Sequence, residues 1–245
     1  MIGLALFATG CASGASSGEG EIQLTVAAAS SLTEVMPALA EAFATEHPNV
    51  DIEFSFGSSS DLAVQVIEGA PFDVFASADD TNMQKIVDVG ENDGAPLQFA
   101  TNTFAILVST GNPLGITSVK DLANPDLTVI TCAITAPCGK GAAEIFQNAG
   151  VTVTPKSFEE KVKGVVTKVL AGEADAGVVY ITDVRAVGDA AQGIRIPAEI
   201  NVVNKYPIVA TRTSKHKELA QLFVNFVAST TGQRILSEFG FGTVR

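Results

Sequence analysis

With 245 residues the chain has room for one large or two small domains and an ample core. Its 15 Lys and Arg against 27 Asp and Glu give a net charge of -12, which excludes the broad basic surface a nucleic acid requires. Hydrophobic residues make up 47% of the chain, yet no run reaches the roughly 18 apolar residues of a spanning helix. Two His and three Cys, none in C-x-x-C spacing, are too few for a convincing zinc site.

The first element is an address. Residues Ile2 to Thr9 are apolar, Ala8-Thr9-Gly10 leads into Cys11, and a Gly/Ser-rich stretch runs to Gly20. A hydrophobic stretch, a small residue before Cys and then a tether resemble a bacterial lipoprotein signal, with Cys11 as the lipidated residue and residues 1–20 as signal and tether. The positive charge that opens such a signal is missing before Cys11. Export leaves Cys132 and Cys138 as an even pair, a disulfide in an oxidising compartment and two buried thiols in a reducing one. A bridge closing so small a ring stabilises by roughly 2 kcal/mol, less any strain.

From Glu21 onward β-like runs alternate with helical periodicity. Ile22 to Val26 reads as a strand, and Leu32, Val35, Met36, Leu39, Ala40 and Phe43 recur at helical spacing. A strand at Val50 to Phe56 precedes a helix face of Leu62, Val66 and Ile67; a buried strand at Phe72 to Ala76 precedes Met83, Ile86 and Val87. Next come a strand at Asn102 to Ser109, a short helix at Val119 to Leu122 after Ser118, and a strand at Leu127 to Cys132. Helices at Ala142 to Ala149 and Phe158 to Leu170, strands at Ala176 to Tyr180 and Tyr206 to Thr211, and a C-terminal helix carrying Leu219, Leu222, Phe223, Phe226 and Val227 complete the chain. No internal repeat is visible after residue 20. The alternation predicts an α/β fold with mostly parallel sheets, in which ligands sit at strand carboxyl ends.

Three of these helix starts suit an anion, because first-turn N–H groups and the positive end of the helix dipole point outward there. Ser31 with Glu34 fits a capping box after the first strand. Ser58-Ser59-Ser60 exceeds what one cap requires, and Ser59 is the surplus hydroxyl. Ala136-Pro137-Cys138-Gly139-Lys140-Gly141 reads as a tight turn whose bare backbone can approach a ligand before a helix begins. Tyr180 ends a strand and either reaches a ligand or simply packs. Lys140 does not complete a phosphate loop, and no G-x-S-x-G marks a hydrolase. His47 and His216, expected to be solvated at helix ends, offer Ser59 no base, which weakens a serine-dependent α/β enzyme as the alternative.

Four segments together resemble the molybdate-binding proteins of bacterial molybdate ABC transporters: Ala28 to Thr33, Phe56 to Ala63, Gly69 to Asp79 and Gly172 to Tyr180. The resemblance runs from Ile22 to Phe241. It implies a two-lobed periplasmic-binding-protein-like α/β fold with the ligand in the cleft, each lobe a mostly parallel sheet flanked by helices. The implied lobes are residues 21–101 plus 206–245 and residues 102–205, with chain crossings near Asn102 and Tyr206. Ser31, Ser59, Cys138, Val162 and Tyr180 match the family's oxyanion donors, Cys138 and Val162 through backbone N–H. Where the family usually has Ala, Cys138 brings a side chain and the suggested disulfide beside a donor. The resemblance further implies molybdate, with tungstate not excluded, as ligand rather than cofactor, no direct protein bond to molybdenum and no enzymatic activity. A monomer handing its ligand to a membrane permease is expected, with sulfate or phosphate as the alternative ligand.

Overall fold

A computed structural model of the protein describes residues 22–244; Cys11 and residues 1–20, where a signal and tether are expected, lie outside the described residues. Strands β1 (Ile22–Ala29), β2 (Val50–Gly57) and β3 (Val74–Ala76) alternate with helices α1 (Val35–Ala44), α2 (Ser59–Ile67) and α3 (Asp80–Asp88). β1 lies between parallel β2 and β3. The long β4 (Asn92–Ser109) leads into a second unit of the same plan: β5 (Val129–Cys132), α4 (Pro137–Asn148), β6 (Ser157–Glu159), α5 (Val162–Leu170) and β7 (Ala176–Tyr180). Here β5 lies between parallel β6 and β7. The chain continues through α6 (Ile181–Val187), β8 (Ala191–Arg195), β9 (Val203–Thr211), α7 (Lys217–Ala228) and α8 (Thr230–Glu238).

β9 and β4 join the two triplets into one sheet of order β2-β1-β3-β9-β4-β7-β5-β6, with β8 paired to β4. β4 is antiparallel to β9 from Asn92 to Thr103 and to β7 and β8 beyond it, so one strand serves both halves. Leu107, Ile130, Val165 and Val178 share one apolar cluster. Leu24, Val26, Leu39, Phe99 and Phe223 share a second, and Leu62, Phe75 and Ile86 a third. Burial of these side chains, about 1.5 to 3 kcal/mol each, is the main force holding each unit together.

Several local expectations are corrected. Ser31 and Glu34 form no capping box: Ser30–Leu32 is a 3-10 turn without a side-chain cap, and α1 begins only at Val35. The expected helix from Phe158 divides, since Phe158 pairs with Thr131 in β6 and the helix starts at Val162 after extended Lys161. β4 begins at Asn92 rather than Asn102. α6, β8 and α8 were not expected; β8, Ala-Gln-Gly-Ile-Arg, lacks the β-branched alternation that signals a strand. His47 stacks on Phe43 with ring centroids 4.2 Å apart and is half-buried rather than solvated.

Gly139 and Gly141 lie inside α4 rather than in a turn before it. A Cβ at Gly139 would stand 2.0 Å from the Ala133 carbonyl oxygen, and one at Gly141 2.2 Å from Cζ of Phe104. Phe104 in turn packs on Tyr180, ring centroids 4.5 Å apart. Because Phe104 is buried and cannot swing away, Gly141→Ala should destabilise by about 1–3 kcal/mol, read as a lower denaturation midpoint. Cys132 and Cys138 are joined by a disulfide with Cα atoms 5.6 Å apart. Mass spectrometry of the unreduced protein should therefore find neither thiol open to alkylation.

Candidate functional site

Six strand ends meet around one small cavity. From the first unit come Ser30 and Ser31 after β1, Ser58 and Ser59 after β2, and Ala78 beyond β3. The second unit supplies Pro137 and Cys138 after β5, Lys161 and Val162 after β6, and Tyr180 at the end of β7. All five residues singled out in the sequence, Ser31, Ser59, Cys138, Val162 and Tyr180, are thus brought to the same wall and are buried. Ser59, Cys138 and Val162 occupy the first turns of α2, α4 and α5, where an N–H has no carbonyl of its own helix to meet. A roomier cleft of about 690 Å³ shares Ser31 but is walled by Glu34, Glu238, Arg185 and Phe239, charges of both signs without that convergence.

The hydroxyls are held from behind. Ser59 Oγ accepts the Ala78 N–H at 2.9 Å. Tyr180 Oη accepts from Asn204 Nδ2 at 2.9 Å, and the same amide donates to the Ala78 carbonyl at 3.0 Å. Ser31 Oγ lies 2.9 Å from Tyr206 Oη. Ser58 and Ser60 bond each other at 2.8 Å, leaving Ser59 as the serine of that run whose hydroxyl faces β3.

Charge sits beside the cavity, already compensated. Lys163 Nζ is 2.8 Å from Asp183 Oδ1 and 2.8 Å from Glu34 Oε1. Burial pulls the Lys163 ammonium down, but Asp183 and then Glu34 outweigh it and its pKa stands above the usual value. Burial raises the Asp183 carboxyl, with Lys163 holding back part of the rise. Two carboxylates against the Lys163 ammonium leave that cluster without net positive charge, so apart from exposed Lys161 at the cavity rim an anion here would rely on N–H and O–H dipoles. Among the described residues no cluster of His, Cys, Asp and Glu could hold a metal ion, and no helix is long and apolar enough to cross a membrane.

The family of bacterial extracellular solute-binding proteins matches residues 24–242. The chain belongs to that family. Molybdate-binding protein ModA of Mycobacterium tuberculosis is 39% identical to this solute-binding protein over 245 residues, covering 98% of this chain and 94% of that one. Among solved structures, the periplasmic molybdate-binding protein of Azotobacter vinelandii superposes with a TM-score of 0.78 at 21% identity, over 91% of this chain and 100% of that one. The sulfate-binding protein SubI of M. tuberculosis reaches 0.83 at 20% identity, over 91% and 87%. At these identities the two structures establish the fold alone.

Sequence reasoning missed the polar layer behind the solute-binding protein's cavity: Asn102, Asn204, Tyr206 and the Lys163–Asp183 pair. A signal existed, since Asn102 and Asn204 are strand-disfavoured residues within β4 and β9. Tyr180 and Tyr206 are the only two tyrosines of the chain, and both are buried. Burial raises both phenols above the usual value of about 10; at Tyr206 the bonds to Ser31 and Asn102 offset part of that rise. The unfolded chain therefore gives up its phenol protons first. The stability these two phenols contribute should be complete below about pH 10 and decline above it, and an alkaline ultraviolet titration of the folded protein should show no phenolate near pH 10.

Proposed function

We propose that this protein is the extracytoplasmic molybdate receptor of an ABC transporter, closing two lobes on one oxyanion and presenting it to a membrane permease. The supporting observation is the convergence of three first-turn helix N–H groups and three buried hydroxyls on a cavity small enough for a compact ion. The 39% identity to ModA of M. tuberculosis agrees with it. In this reading Ser31 and Ser59 donate through hydroxyl and backbone, Cys138 and Val162 through backbone N–H, and Tyr180 through its phenol. The protein is a binder rather than an enzyme; molybdenum arrives as molybdate, the oxyanion is ligand rather than cofactor, and no protein atom bonds the metal. The lobes are residues 21–101 with 206–245, and residues 102–205.

Specificity follows from the donors. A protonated phosphate requires an acceptor, and sulfate is too small to reach every donor at once. Tungstate matches molybdate in charge and nearly in size, so the site takes both. The net charge of -12 opposes approach only at short range, because physiological salt screens it beyond about 8 Å. Lipidation at Cys11 would tether the monomeric receptor to the outer face of the membrane, close to its permease.

Calorimetry with molybdate and sulfate side by side tests the ligand: tight molybdate binding is expected, and preference for sulfate would replace the assignment. Tyr180→Phe and Ser59→Ala should each weaken molybdate binding by about 1–3 kcal/mol, the range for a hydrogen bond to a charged group, while the fold survives. Ser30→Ala, one position from the expected donor, should cost little. A decisive Ser30 with silent Ser31 and Ser59 would show the donor register to be wrong.

A further inference from the structure

We propose that Asn204, with Asn102 opposite it on the adjoining strand, acts as a positioning residue that fixes the direction of the site's hydroxyl hydrogens and so decides which anions the site accepts. The inference rests on the oxyanion-receptor reading and deepens it.

Amide orientation carries the argument. Asn204 Nδ2 lies 3.0 Å from the Ala78 carbonyl, which can only accept, so the nitrogen and not the oxygen must face it. The second hydrogen of that nitrogen goes to Tyr180 Oη at 2.9 Å. The phenol oxygen therefore accepts from Asn204, and its own hydrogen is left for another partner, on a side chain that lines the cavity. Asn102 is fixed in the same manner. Its Oδ1 accepts the Thr103 N–H at 3.0 Å, and its Nδ2 donates to Thr182 Oγ1 at 2.8 Å and, at 3.5 Å, to Tyr206 Oη. Tyr206, engaged by Asn102, stands 2.9 Å from Ser31 Oγ and can pass its hydrogen to it, freeing that of Ser31.

Asn102 and Asn204 are directly opposed in the β4–β9 register. Both are buried in strand positions where an amide is otherwise unfavourable. Ser59 receives the equivalent support from backbone, through the Ala78 N–H. Ser59 and Tyr180 thus have an oxygen supplied from behind, and Ser31 has the same when Tyr206 is the donor of their bond; each then has a hydrogen to give, that of Tyr180 either to neighbouring Tyr206 or forward to a guest. A fully deprotonated oxyanion is satisfied by such a wall, whereas hydrogen phosphate presents its own hydrogen to another hydrogen and is rejected.

A double-mutant cycle on the full chain tests this. Wild type, Asn204→Leu, Tyr180→Phe and the double variant are titrated with molybdate, sulfate and phosphate by calorimetry, with thermal melts alongside. Asn204→Leu should weaken molybdate at least about tenfold and narrow its margin over phosphate. In the Tyr180→Phe background the same change should add under about twofold, which a merely structural role would not produce. Asn204→Asp keeps the side-chain shape but takes the Tyr180 hydrogen; it should weaken molybdate more than Leu does, and it carries the test if Asn204→Leu fails to fold. Wild-type binding with silent Asn204 variants, or full additivity with Tyr180→Phe, would overturn the inference alone. Wild type binding phosphate as tightly as molybdate would also overturn it. A wild type preferring sulfate would replace the molybdate reading and leave the cycle to be read on sulfate, also fully deprotonated. Wild type binding none of the three would overturn reading and inference together.

Discussion

Antiparallel pairing of β4 with β9 places both halves of the chain on one sheet, and its register sets Asn102 against Asn204. Because β4 pairs with β9 along its first part and with β7 along its second, the carboxyl ends of β1, β2 and β3 face those of β5, β6 and β7 across the junction. A ligand site in a parallel α/β unit forms where strands end and helices begin. Here two such edges share one cavity. The Asn204 amide bridges them, holding Ala78 of the first unit and Tyr180 of the second.

That arrangement explains how an acidic protein can present an anion site. Lys163 is adjacent, yet Asp183 and Glu34 already pair with it, so its charge fixes the start of α5 rather than neutralising a guest. The Lys163–Glu34 contact joins α5 to the segment following β1, another link between the units. Inside the cavity, past exposed Lys161 at its rim, what remains for an anion are dipoles: first-turn N–H groups and hydroxyl hydrogens, buried where their interactions are stronger than in water. Leaving so many donors buried is costly unless something meets them, and a compact oxyanion is the partner this geometry fits.

Backbone approach is controlled as tightly as charge. The Cys132–Cys138 disulfide ties the end of β5 to the first turn of α4, and Gly139 permits the Ala133 carbonyl to lie against that turn. Gly141 admits Phe104, which supports the ring of Tyr180. These glycines are therefore packing residues, and the small-residue run after Ala136 describes a helix pressed against its neighbours rather than a flexible turn.

The resemblance to the molybdate-binding family singled out Val162 and gave Tyr180 its donor role, whereas the residues read by themselves determined the α/β class, most strands and helices, and the helix starts with surplus donors. Those features are local: strand and helix periods, hydroxyls at helix starts, and a tyrosine closing an apolar run. Boundaries failed where local pattern and tertiary pairing disagreed, as at Phe158, whose neighbours suit a helix but whose backbone pairs with Thr131. Ser31 likewise has the spacing of a cap, but its hydroxyl bonds Tyr206, 175 residues away in sequence, instead of a helix N–H. Only the tertiary structure decided that the two units, without visible repetition in sequence, present the same three strand ends to one cavity. It alone decided that Asn102 and Asn204 stand behind the hydroxyls. Hydrogen-bond direction depends on which atoms meet across the β4–β9 register, and no spacing along the chain encodes that.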